Sequence, residues 1–177
     1  SGSSNGTGGT SGTSSSSTGG AAASARYGLD VTTATTAQTA GIVTITTVLA
    51  DGTGESLGTG LVLTSDGLVL TNHHVIADGA QIVVTTTAGA QYEASVVADA
   101  ADSDVALLEL SGASGLTTVS LDPDDDLAVG DSITGIGNAL GEGLVATPGT
   151  VSALNVQITV SEATGGTPFA SFFTTAT

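Results

Sequence analysis

Short runs of β-branched residues, broken at roughly ten-residue intervals by Asp-Gly or Ala-Gly steps, confine this 177-residue chain to an all-β fold. The runs are Gly41–Leu49, Gly60–Thr64, Leu68–Thr71, Gln81–Thr87, Tyr92–Ala98 and Val105–Leu110. Val, Ile and Thr suit a pleated, half-buried surface, and the alternation in Val43-Thr-Ile-Thr46 turns one face inward. The breaks fall at Asp51-Gly52, Asp66-Gly67, Asp78-Gly79 and Ala88-Gly89. Asp-Gly is a strong hairpin signal because both residues tolerate positive φ. Six strands so spaced predict a closed barrel or a sandwich and exclude a βαβ fold. Only the stretch from His73 to Ala77 reads as helical, and for a single turn.

A second unit begins after Gly112-Ala-Ser-Gly115, with strands expected at Ser132–Ile136, Thr150–Val160 and Phe172–Thr175. Three strands do not close a barrel, so this unit reads as partial. The acidic run Asp122-Pro-Asp-Asp-Asp126 between the units reads as a solvated loop, since like charges repel and Pro123 blocks regular structure. A calcium site is the other reading of that run, although it lacks the glycine and terminal glutamate of an EF-hand loop. At the other end, the first twenty residues are Gly, Ser or Thr except for Asn5. They have no apolar surface to bury and read as a flexible linker.

Composition removes whole classes of function. One basic residue, Arg26, against 17 acidic ones gives a net charge of −16. Nothing here neutralises phosphates, so binding to nucleic acid and to anionic membrane surfaces through basic patches is excluded. No apolar run approaches the ~20 residues of a membrane span. The absence of cysteine removes disulfides, thiol chemistry, iron–sulfur clusters and Cys-based zinc. No cofactor and no metal is expected.

The chemistry that remains gathers around Thr71-Asn72-His73-His74-Val75, which holds the only two histidines. A histidine that follows a strand and opens a helical turn sits on a rigid support and can act as a general base. Downstream, Asp102-Ser103-Asp104 stands immediately before the apolar strand from Val105. An aspartate there can hydrogen-bond an imidazole and fix its tautomer. Each segment by itself has a bland alternative: a structural histidine, and a strand-start aspartate facing water.

Together the segments resemble the trypsin-like serine peptidases, and among them the bacterial HtrA/DegP-like group. The resemblance rests on Gly58-Thr-Gly-Leu-Val-Leu-Thr-Ser-Asp-Gly67, Leu70-Thr-Asn-His-His-Val75, Asp104-Val-Ala-Leu-Leu108, Val129-Gly-Asp131 and Gly135-Ile-Gly-Asn138, in that order. It spans roughly residues 40–177, and the wording of Gly112–Leu121 and Gly149–Leu154 is similar to exported peptidases of actinobacteria. The resemblance implies a double β-barrel with a cleft between the barrels. It divides the chain into a linker (1–28), a six-stranded first barrel (29–115), a connection (116–130) and the first part of a second barrel (131–177). His74 then matches the general base and His73 a variable bystander position. Asp104 matches the orienting carboxylate, with Asp102 as the weaker alternative. The implied substrate is a protein or peptide, and the implied location is extracellular or in the cell envelope, tethered through the linker. No oligomeric state is implied.

One departure limits the match. The family's nucleophile lies in a Gly-Asn/Asp-Ser-Gly-Gly-Pro motif whose amides also form the oxyanion hole, and this sequence has none. Thr164-Gly-Gly-Thr-Pro168 is the nearest string, but it lacks the preceding glycine, carries an insertion and comes too early. Phe172–Ala176 instead matches the strand that precedes the serine loop. The expectation is a chain truncated before its nucleophile, a serine endopeptidase segment inactive by itself. The competing expectation is a catalytically inactive trypsin-like module used for interaction or assembly.

Overall fold

The computed structural model describes residues 31–122, 126–138 and 143–154, and the backbone of 173–176. The strands are β1 (Thr32–Thr33), β2 (Ile42–Leu49), β3 (Glu55–Val62), β4 (Leu68–Thr71), β5 (Gly79–Thr86), β6 (Gln91–Ala100), β7 (Val105–Leu110), β8 (Ser132–Asn138), β9 (Leu144–Thr150) and β10 (Phe173–Ala176). A single helical turn, α1 (His73–Ile76), follows β4, and a 3₁₀ turn (Ala101–Ser103) joins β6 to β7. The linker segment 1–28 and the Thr164–Pro168 string lie outside the described residues, as do 123–125 of the acidic run.

Strands β2 to β7 close into a barrel in the order β2-β3-β4-β7-β6-β5, every neighbouring pair antiparallel. Closure leaves no strand edge unpaired along the joined lengths, which is how an all-β unit avoids edge-to-edge association. Alternation supplies the core: Val43, Ile45, Val62, Val69, Val84, Leu108 and Leu110 point inward and are buried. Val75 and Ile76 of α1 join the same cluster, so the helical turn plugs the barrel. Full burial of one such side chain contributes about 1.5–3 kcal/mol.

A second sheet runs β1-β9-β8-β10. It meets the barrel through a small apolar cluster of Ile42 and Leu61 against Ile136 and Ala146. A polar contact lies nearby, where the Asn138 N–H donates to Thr59 Oγ1 at 3.3 Å. Thr59 is fully buried, and its carbonyl accepts the Thr71 hydroxyl at 2.9 Å, which ties β3 to the end of β4 just before α1.

Three elements depart from the sequence-based expectation. β3 starts at Glu55, five residues before the expected Gly60, because it takes in two glycines that weaken a strand on propensity alone. Both are there for space: a Cβ on Gly60 would lie 2.7 Å from Val69 and 2.9 Å from Ile45. β9 covers Leu144–Thr150, whereas the strand expected at Thr150–Val160 is absent over 151–154, and 155–160 lie outside the described residues. Pro148 sits in β9 opposite Thr134, beyond the two-residue pairing with β1, where among the described residues no strand pairs with its other edge and proline is tolerated. Finally, Thr32–Thr33 falls within the expected span of the first barrel but pairs with Val145–Ala146 of the second sheet.

Candidate active site

Local sequence explains why His74 is held firmly. β4 ends at Thr71, and Asn72, in extended conformation at the N-cap position, turns the chain into α1. Val75 is fully buried and anchors the turn on β3. Its side chain occupies the space above Gly58, where a Cβ would come within 2.5 Å of both Val75 methyl groups. Gly58 thereby sets the depth at which the helical turn, and with it His74, sits on the barrel.

The 3₁₀ turn delivers Asp104 from the other side. Asp104 closes that turn with its N–H on the Ala101 carbonyl at 3.1 Å, and it adopts a left-handed backbone at φ 50° and ψ 45°. Only Asp78 shares a positive φ among the described non-glycine residues, and aspartate is one of the few types that tolerate it. The left-handed step redirects the chain into β7 and leaves the carboxylate beside α1.

Asp104 then meets His74 twice. Oδ1 accepts the His74 backbone N–H at 2.9 Å, and Oδ2 lies 2.8 Å from ring Nδ1. Asn72 adds a third anchor, its Nδ2 donating to the Asp104 carbonyl at 3.1 Å and to Oδ2 at 3.3 Å. The His74 and Asp104 side chains are 30% and 35% exposed, so the pair is partly desolvated yet within reach of a ligand. Burial pushes the Asp104 carboxyl up, but the backbone and ring hydrogen bonds from His74 outweigh it. With the charges of His74 and His73 they hold the group below its ordinary value of 3.8. A carboxylate that stays ionised keeps the proton of His74 on Nδ1. Nε2 is then the nitrogen with a lone pair, able to take a proton while Asp104 stabilises the imidazolium that forms.

The other sequence candidates separate cleanly. His73 turns to a different carboxylate, with Nδ1 3.1 Å from Asp99 Oδ2 on β6. That nitrogen is buried and makes no hydrogen bond, so the contact is close but misaligned. Asp102 is exposed in the 3₁₀ turn. Gly135–Asn138 forms the end of β8, which reaches Thr59 through the Asn138 amide. Among the described residues no group of three or more His, Asp or Glu is gathered to hold a metal, and no helix is long and apolar enough to cross a membrane. Sequence reasoning missed Asn72. Thr71-Asn72-His73-His74 marks it only as a preferred N-cap residue two positions before the histidine, which does not point to its contact with Asp104.

A model of the trypsin-like peptidase domain matches residues 58–177. The chain belongs to the trypsin-like peptidase family. Over 99 residues it is 42% identical to a probable periplasmic serine endoprotease, DegP-like, of Ectopseudomonas mendocina, covering 56% of this chain and 21% of that protein. Over 101 residues it is 40% identical to the periplasmic pH-dependent serine endoprotease DegQ of Escherichia coli, covering 56% and 22%. Among solved structures it is similar to the HtrA-type protease AlgW with tripeptide, at TM-score 0.60 and 30% identity over 65% of this chain and 37% of that one. A serine endoprotease from Yersinia pestis gives the same TM-score at 29% identity, over 66% and 42%. The closed barrel and the four-stranded sheet are therefore a trypsin-like double β-barrel, the first complete and the second partly present. The chain spans about a fifth of the length of the curated relatives it matches.

Proposed function

We infer that this trypsin-like peptidase chain supplies the general base and its orienting carboxylate to a serine endopeptidase. His74 takes the proton from a serine hydroxyl through Nε2, and Asp104 holds the imidazole in the Nδ1–H tautomer. The serine attacks a peptide carbonyl, the His74 imidazolium protonates the leaving amine, and water releases the acyl-enzyme with His74 again as base. The observation that carries the reading is the two-point grip of Asp104 on His74, at 2.9 Å to the backbone amide and 2.8 Å to the ring. Relatives named as periplasmic endoproteases support protein substrates and an exported or envelope location; in this reading the Gly/Ser/Thr-rich residues 1–28 are the tether.

In this reading the nucleophile is not among the 177 residues, which contain no Gly-x-Ser-Gly-Gly string, and the chain alone is inactive. The test is labelling with a serine-directed fluorophosphonate, followed by peptide mapping. The 177-residue chain is expected to remain unlabelled and to leave unfolded casein intact. Stoichiometric labelling of Thr164, or of any serine in the chain, overturns this assignment.

A further inference from the structure

Asn72 occupies the N-cap position of α1 but does not cap it: its side chain makes no hydrogen bond to the helical turn. The amide that an N-cap side chain commonly serves, two positions on, is the His74 N–H, and this amide is taken by Asp104 Oδ1 at 2.9 Å. The Asn72 carboxamide goes instead to a residue 32 positions away, with Nδ2 at 3.1 Å from the Asp104 carbonyl and 3.3 Å from Oδ2. The two side chains have exchanged duties. The aspartate from the β6–β7 connection caps the helical turn, and the residue at the cap position steadies the aspartate.

Asp104 needs that support. Its left-handed backbone at φ 50° is unfavourable for most residues with a side chain, and its own side chain is 35% exposed. Two of its oxygens, the carbonyl and Oδ2, converge on one carboxamide nitrogen. A carboxamide nitrogen carries two N–H bonds and can give one to each oxygen. We propose that Asn72 is a positioning residue of the His74–Asp104 pair, acting through its carboxamide N–H groups to fix Asp104 against His74 Nδ1, and not as a helix cap. This rests on the function proposed above and adds a residue to that site.

The two roles order the substitutions at Asn72 differently. As a cap, Ser and Asp are equivalent to Asn and only Ala is harmful. As a positioning donor, Ser and Ala both fail: the serine hydroxyl has one proton on a shorter arm, and alanine has none. Asp is worst, because it sets a second negative charge beside Asp104. The readout is solvent exchange of the His74 Nδ1 proton, followed by NMR on the ¹⁵N-histidine-labelled 177-residue chain. With two histidines in the sequence, His73→Gln assigns the signals.

The expected result is a protected Nδ1 proton in the unsubstituted chain and exchange about tenfold faster in Asn72→Ser and Asn72→Ala, the equivalent of one charge-assisted hydrogen bond. Asn72→Asp is expected to exchange faster still, with folded amide dispersion kept in all three. Exchange within twofold of the parent in Asn72→Ser and Asn72→Asp, with only Asn72→Ala faster, makes Asn72 a cap and overturns the proposal while leaving the proposed function standing. Loss of folded dispersion in Asn72→Ser makes it a general structural residue and overturns the proposal as well. An unprotected Nδ1 proton in the unsubstituted chain removes the His74–Asp104 pair itself and overturns both readings.

Discussion

Asp104 reaches 30 residues back along the chain to hold His74 at two points, its backbone amide through Oδ1 and its ring through Oδ2. The two bonds make the position of the ring and the start of α1 one structural event. A carboxylate that both caps a helical turn and orients the imidazole on it cannot lose one role without weakening the other. This coupling, and the packing behind it, give the following expectations.

Acid should release the pair in a defined window. The Asp104 carboxyl is held below 3.8 in the folded chain, where burial raises it but the His74 hydrogen bonds and the His74 and His73 charges prevail. The unfolded value is about 3.9. The folded state thus binds this proton less readily, so the contribution to stability is complete above about pH 4 and is lost as pH falls through the folded value. Asp104→Asn should cost about 1 kcal/mol at pH 6, allowing for solvent screening of a partly exposed group. Urea midpoints of parent and variant should converge below about pH 4; a gap that stays constant down to pH 2 contradicts the assignment.

Gly58 should tolerate no side chain. A Cβ there meets Val75 at 2.5 Å, against a fully buried partner on a one-turn helix. Gly58→Ala is expected to destabilise by about 1–3 kcal/mol through overpacking. In the double variant with Val75→Ala the cost should fall below the sum of the single costs, since the smaller side chain returns the space. Strict additivity in the double-mutant cycle would show that the two residues do not compete for it.

His73 should be dispensable for the pair. Its Nδ1 lies 3.1 Å from Asp99 but makes no hydrogen bond, and the two side chains are 29% and 47% exposed. His73→Ala should change stability by no more than about 0.5 kcal/mol and leave the Nδ1 proton of His74 protected. A loss of that protection would make His73 part of the site.

Salt should stabilise the fold. All 17 acidic residues lie beyond Arg26 and no lysine or arginine follows it, so only Asp30, four residues on, is near a basic residue in sequence; both ion pairs among the described residues use a histidine. Repulsion among unpaired negative charges disfavours the compact state, and the screening length is only about 8 Å at 0.15 M. The thermal midpoint should rise from millimolar to molar sodium chloride, and a falling midpoint would contradict a repulsion-limited fold.

The barrel was legible because its strands are locally consistent. Val43-Thr-Ile-Thr46 alternates as a half-buried strand must, and the breaks at Asp51-Gly52 and Asp66-Gly67 became turns with Gly52 and Gly67 at positive φ. The single helical turn at His73 was equally clear. What hid was decided by distant partners. The start of β3 is obscured by Gly58 and Gly60, whose value is the room they leave for Val75, Val69 and Ile45. β9 is obscured by Pro148, which reads as a breaker until its place beyond the pairing with β1 is known. β1 has two residues and no periodicity to read. At the site, His74 and Asp104 were readable as candidates and their separation from His73 and Asp102 came from the motif. The part of Asn72 was not readable, because a residue at a cap position gives no sign that its side chain is engaged 32 residues away.

The most direct measurement of the proposed role is kcat/KM for an unfolded protein substrate, made on the intact product of the gene with His74→Ala and with Asp104→Asn. Members of a triad act as a unit, so each substitution is expected to lower kcat/KM by about 10⁴-fold or more. His73→Ala, made alongside, should stay within about threefold of the parent. Activity within tenfold of the parent in His74→Ala or Asp104→Asn would contradict the account, because the two-point grip would then serve the fold and not the chemistry.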